Sequence, residues 1–126
     1  MMNEMYRILI ADDNQINLQV FGRLIKKLGF EYDMVSNGEE AVNAVTIKKY
    51  SIVFMDIHMP VMGGVEATNK IKTNIIENCP VIIALTADSF LGDEEELLSA
   101  GMDDYLAKPV NKESLQSKLT KWLPNN

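Results

Sequence analysis

Ile8-Leu9-Ile10-Ala11-Asp12-Asp13 is a short apolar run that ends on two adjacent carboxylates. Three later stretches repeat that design. Ile52-Val53-Phe54-Met55 ends on Asp56, Val81-Ile82-Ile83-Ala84-Leu85 ends on Thr86, and Tyr105-Leu106-Ala107 ends on Lys108-Pro109. Short, continuously apolar runs bounded by polar or turn residues read as strands covered on both faces. Each of these delivers a chemically capable side chain at its C-terminal end. In an open parallel sheet that edge is where ligands bind.

Helical patterns alternate with the strands. After a strand over residues 6–11, Asn14 is suited to cap a helix that Gly29 stops near Leu28. Its apolar residues form two stripes: Ile16, Val20 and Leu24, and Leu18, Phe21, Ile25 and Leu28. A second strand over 32–35 and the Asn37-Gly38 turn lead into a helix over 39–48 with Ala41, Val42 and Val45 inward. Pro60 and Gly63-Gly64 mark a loop, a short helix covers 65–72, and Pro80 precedes strand four. A helix over 90–100 ends at Gly101, and strand five spans 104–107. Asn111 caps a last helix with Leu115, Leu119, Trp122 and Leu123 at i, i+4, i+7 and i+8. Five βα units in one chain predict an α/β fold: a flavodoxin-like (βα)5 three-layer sandwich with parallel strand order 2-1-3-4-5. In that order Asp12, Asp13, Asp56, Thr86 and Lys108 become neighbours at one sheet edge.

The chain of 126 residues, 47% hydrophobic and 24% charged, fits one domain over 1–126 with a core at about 6–123. No apolar run approaches the roughly 20 residues a membrane span needs, and Met1-Met2-Asn3-Glu4-Met5 is unlike a secretory signal. The single Cys79 favours a reducing, cytoplasmic setting and reads as a packing residue. A net charge of −6 disfavours direct nucleic-acid binding.

Three converging carboxylates repel one another unless a cation sits among them. Mg²⁺ is the natural occupant, being hard and oxygen-seeking, with Mn²⁺ as an alternative. One His and one Cys are too few for a zinc or copper site. A carboxylate beside such an ion can also act as a nucleophile and form an aspartyl phosphate. Asp56 is the best nucleophile, because its strand is central and the acid is single; Asp12 and Asp13 suit the cation platform. Lys108 and Thr86 would cover phosphoryl oxygens. A cis Lys108-Pro109 bond would be one way to aim the Lys108 side chain over the site. Taken singly, each residue has an ordinary explanation: dipole-matching acids, a loop cap, strand chemistry, a surface lysine. Their conjunction at one edge carries the reading.

These motifs resemble the receiver domains of two-component phosphorelay signalling, and most closely those of hybrid histidine kinases. The resemblance rests on Ile8-Leu9-Ile10-Ala11-Asp12-Asp13-Asn14, Met55-Asp56-Ile57-His58-Met59-Pro60, Leu85-Thr86-Ala87 and Lys108-Pro109, and spans residues 6–123. It implies that Asp56 is the phosphoacceptor and that Asp12 and Asp13 organise Mg²⁺. Asp13, Asp56 and the His58 backbone carbonyl would be ligands, and Thr86 and Lys108 would bind phosphoryl oxygens. It further implies a phosphohistidine donor on a sensor histidine kinase or histidine phosphotransfer protein. Tyr105 would be an aromatic switch moving with Thr86, and the fourth helix, strand five and last helix would carry output. The chain then reads as a stand-alone regulator or a piece of a larger kinase, cytoplasmic or on the cytoplasmic side of a membrane-bound one.

Gly63 stands where many such domains have an acid. His58 and Asp88, each two residues past a motif residue, are expected to tune hydrolysis of the phosphoryl group. Asp93-Glu94-Glu95-Glu96 reads as a solvated helix face. Three other functions fit parts of the pattern: a Mg²⁺-dependent phosphohydrolase, a flavin-binding module of the same fold, and an unphosphorylated interaction module. Turnover of a small phosphate ester would mark the first, and yellow colour the second.

Overall fold

β3 (Ile52–Asp56) is buried at all five positions, because a strand flanked on both edges and covered on both faces has no route to solvent. The computed structural model describes residues 6–75, 77–86 and 97–123. Around β3 lie β1 (Arg7–Ala11), β2 (Glu31–Val35), β4 (Val81–Thr86) and β5 (Asp104–Ala107), all parallel, in the order β2-β1-β3-β4-β5. The chain reverses direction across the sheet between β1 and β3. That is the switch point at which such folds form their crevice.

Side-chain alternation divides the core in two. On one face Ile8, Ile10, Phe54, Ile83, Leu85 and Leu106 pack with Leu18, Phe21 and Ile25 of α1 (Gln15–Lys27) and Leu115 and Leu119 of α4 (Lys112–Trp122). On the other, Leu9, Ala11, Val53, Met55, Ile82 and Ala84 meet Ala41 and Val45 of α2 (Gly38–Ile47) and Ala67 and Ile71 of α3 (Gly64–Asn74). Asn14, Asn37 and Asn111 cap α1, α2 and α4, their side chains accepting backbone N–H groups at 3.0, 2.8 and 2.8 Å. Each cap typically contributes about 1 kcal/mol. Gly29 follows α1 at φ 92°, a conformation natural to glycine.

The two apolar stripes of α1 are not covered alike. Leu18, Phe21 and Ile25 are buried, whereas Ile16 is 73% and Val20 50% exposed. A helix lying on a sheet turns one arc inward; of the first stripe only Leu24 packs, half-buried, against that core, while Ile16 and Val20 fall outside the arc. Trp122 is half-buried rather than fully inward, and its indole N–H donates to Asp104 at 2.8 Å. Of the helix expected over 90–100, residues 97–99 are helical, with Leu97 buried; residues 87–96, including Asp88 and the acidic run 93–96, lie outside the described residues. Among the described residues no helix is long and apolar enough to cross a membrane.

The contrast on α1 gives a direct test. Leu18→Ala should cost about 2–5 kcal/mol of unfolding free energy, and Ile16→Ala less than about 0.5 kcal/mol. Urea denaturation of both variants measures it.

Candidate functional site

Four neighbouring strands end together. Asp12 and Asp13 directly follow β1, Asp56 is the last residue of β3, Thr86 the last of β4, and Lys108 directly follows β5. The carboxylates of Asp12, Asp13 and Asp56 each place an oxygen within 4.8 Å of the others. Asp12 is 2% and Asp56 6% exposed, while Asp13 opens to solvent. The Lys108 ammonium lies 3.0 Å from Asp12 Oδ2 and 3.3 Å from Asp56 Oδ2.

Backbone donors fix the two buried acids. The Asn14 N–H donates to Asp12 Oδ1 at 2.9 Å, and the His58 N–H to Asp56 Oδ1 at 3.2 Å. Each acid therefore binds the backbone two residues on, the usual habit of aspartate at the start of a turn. Each is left with its Oδ2 turned to Lys108. The Lys108 backbone N–H donates to the Thr86 carbonyl at 2.7 Å, and the Lys108-Pro109 peptide bond is cis. Thr86 is 8% exposed, and its buried hydroxyl has no hydrogen-bond partner among the described residues. Buried polar atoms are nearly always satisfied, so this hydroxyl stands ready for an acceptor or donor brought into the site. Tyr105 is half-buried, with its ring centroid 5.5 Å from Lys118 Nζ. A cavity of about 410 Å³ opens beside Asp12 and Lys108, walled by Val20, Phe21, Leu85, Pro109 and Val110.

The loop after β3 is held tightly. The Gly64 N–H donates to the Ile57 carbonyl at 2.9 Å, and a Cβ at Gly64 would collide with the Asp56 carbonyl. The Gly38 N–H donates to the Met62 carbonyl at 2.9 Å, with the same crowding against a side chain at 38. Between these latches, Val61 sits at φ 70° while the Met62 N–H reaches back to the Pro60 carbonyl at 2.7 Å. This is a γ-turn centred on a left-handed, β-branched residue, an arrangement costing on the order of 1–3 kcal/mol.

Burial pushes the Asp56 carboxyl above the usual carboxylate range; Lys108 opposes the shift and Asp12 adds to it. Burial alone would lower Lys108, but its bonds to Asp12 and Asp56 outweigh that and raise it. Lys108 is thus a firm cation, and Asp56 carries its charge at some cost. Hard oxygen donors gathered this way suit a divalent metal ion.

All the acids, Thr86 and Lys108 meet at this edge. Sequence reasoning did not find that Lys108 bridges Asp12 as well as Asp56. Nor did it find the N–H donors of Asn14 and His58, which the spacing of two residues after an aspartate could have signalled. Beyond marking a loop, Gly64 lets the chain pass against the Asp56 carbonyl, where a Cβ would collide.

The response regulator receiver domain model matches residues 8–120, and the chain belongs to that family. It is therefore a receiver domain of two-component signalling. Hybrid signal transduction histidine kinase B of Dictyostelium discoideum is 39% identical over 91% of this chain. The receiver domain of sensor histidine kinase PA1611 from Pseudomonas aeruginosa PAO1, solved with magnesium coordinated in its active-site cleft, is 39% identical. It covers 93% of this chain and 96% of its own at a TM-score of 0.84. The receiver domain of Ssk1 from Saccharomyces cerevisiae, solved with the histidine phosphotransfer protein Ypd1, is 34% identical, covering 93% of this chain and 88% of that one at a TM-score of 0.86. The curated relatives are long, and the chain spans from 6% to 15% of their lengths.

The raised Asp56 carboxyl makes a stability prediction with a sign. A carboxyl raised on folding favours the native state while protonated and opposes it once ionised, so its penalty grows as pH rises through the folded value. Asp56→Asn removes that penalty. Its thermal midpoint should exceed that of the unchanged protein at pH 7, and the gap should shrink as pH falls through the acid range.

Proposed function

We propose that this receiver accepts a phosphoryl group on Asp56 from a phosphohistidine of a sensor histidine kinase or histidine phosphotransfer protein. The observation that carries the reading is the contact of one ammonium, Lys108, with both Asp12 and Asp56 beside the third acid, Asp13. In the transfer a carboxylate oxygen of Asp56 forms a bond to phosphorus as the phosphorus–nitrogen bond of the donor breaks. The imidazole keeps that electron pair. Lys108 then serves one phosphoryl oxygen, and the otherwise unpartnered Thr86 hydroxyl serves another. Later attack by water releases inorganic phosphate and restores the carboxylate.

Asp12, Asp13, Asp56 and the His58 backbone carbonyl would hold Mg²⁺, which when bound neutralises charge on the phosphoryl group. Their oxygen-only chemistry and close grouping fit that ion. Thr86 and Tyr105 form the switch: the phosphoryl group binds one of their arrangements better and shifts the population toward it. His58 and Asp88 tune water access and hence the lifetime of the aspartyl phosphate. The unit is a single domain over residues 1–126, working in the cytoplasm or on the cytoplasmic side of a hybrid kinase.

Acetyl phosphate with Mg²⁺ should add one phosphoryl group by intact mass, and Asp56→Asn should abolish it. Persistent stoichiometric labelling of that variant would reject Asp56 as acceptor. Asp13→Asn should raise the Mg²⁺ concentration for half-maximal labelling at least about tenfold. A separate measurement addresses the tuning residues: His58→Ala and Asp88→Ala should each change the decay rate of the phosphorylated form. Unchanged decay in both would remove them from that role.

A further inference from the structure

β5 is an edge strand, and its first two residues face opposite sides of the sheet. Asp104 turns to α4, where it is 7% exposed. Its carboxylate accepts from the Trp122 indole at 2.8 Å, Lys118 at 2.9 Å, Lys121 at 3.4 Å and the Tyr105 backbone N–H at 2.8 Å. Tyr105 turns the other way, to the face covered by α2 and α3, where its ring packs against the core that holds Leu97 and Met102. It stands beside Ala84 in register, and Ala107 stands beside Thr86. Tyr105 and Thr86 therefore share one face, on adjacent strands and one pleat apart.

Lys118 joins the two sides. Its ammonium is bonded to Asp104, and it also lies 5.5 Å from the centroid of the Tyr105 ring. That distance is within cation–π range. Its side chain is 23% exposed, against 60% for Lys121, which sits over Trp122 instead. A partly desolvated cation fixed by a buried carboxylate grips an aromatic face better than a free one.

We propose that Lys118 is a positioning residue for the receiver switch: anchored by Asp104, it straps the Tyr105 ring across the open sheet edge and so governs how readily that ring exchanges when Asp56 is phosphorylated. The proposal rests on the phosphoacceptor reading above. Tyr105 leaves its observed place only by giving up the ammonium, so the contact weights the equilibrium toward that place. Loss of one cation–π contact corresponds to an about two- to fivefold shift in such a balance.

The test uses fluorotyrosine-labelled protein and fluorine NMR, with the Tyr105 resonance assigned by its loss in Tyr105→Phe. Lys118→Met removes the charge and keeps the stem; Lys118→Arg keeps a cation. Without any phosphodonor, Lys118→Met should move the Tyr105 resonance and leave those of Tyr6, Tyr32 and Tyr50 in place, which also reports an intact fold. Lys118→Arg should restore the original position. Labelling of Asp56 by acetyl phosphate should speed up about two- to fivefold in Lys118→Met, and this gain should vanish in a Tyr105→Ala background. An unmoved Tyr105 resonance, or the same gain with Tyr105 absent, overturns the strap. Failure of the unchanged protein to label at Asp56 would instead overturn the phosphoacceptor reading, and the resonance comparison would still decide the strap.

Discussion

Two carboxylates from neighbouring strands are buried within reach of each other, and the Lys108 ammonium is what lets them coexist. Without it, Asp12 and Asp56 would face one another across a site with little water to screen them. The remaining architecture serves that meeting. β1 must lie beside β3 to bring the acids together. β4 must follow so that β5 can send Lys108 back across the Thr86 carbonyl. The arrangement is electrostatically incomplete: three acids against one ammonium leave an excess of negative charge at the crevice. Under the proposed function, that excess is what a bound cation would offset.

The sheet was legible in the sequence because its signal is strong. Buried parallel strands read as unbroken apolar runs, and four of them ended on the residues that now form the crevice. Two helix starts were legible too, since Asn14 and Asn111 each cap where an asparagine ahead of an apolar pattern should; Asn37, legible only as part of a turn, caps α2 as well. The facing of α1 was not. Ile16 and Val20 look as apolar as Leu18 and Phe21, and hydrophobicity alone does not say which arc the sheet will cover. Likewise the list of site residues could be read from strand ends, but Lys108's double contact and the backbone donors depend on loop geometry. Spacing hints at such geometry without fixing it.

The site is built by opposite means on its two sides. Beneath Asp56 the sheet is densely packed, with β3 fully buried and the Phe21 ring tilted at 53° against Phe54, centroids 4.8 Å apart. Above it, the loop from Ile57 to Gly63 is pinned at both ends by glycine contacts and bowed into a strained turn at Val61. A strained segment between two fixed points changes shape in steps more readily than by gradual bending. Such a loop gives Asp56 a well-defined setting without making it immovable.

Asn37 and Gly38 form the dipeptide most prone to spontaneous deamidation, in which the glycine nitrogen attacks the asparagine side chain to close a succinimide ring. Here the Asn37 side-chain Oδ1 accepts from the Glu40 N–H, and the Gly38 N–H donates to the Met62 carbonyl. Ring closure would have to break both. The cap of α2 thus also shields the protein from chemical ageing, and an isoaspartyl link there would arise chiefly from molecules that have already opened that corner.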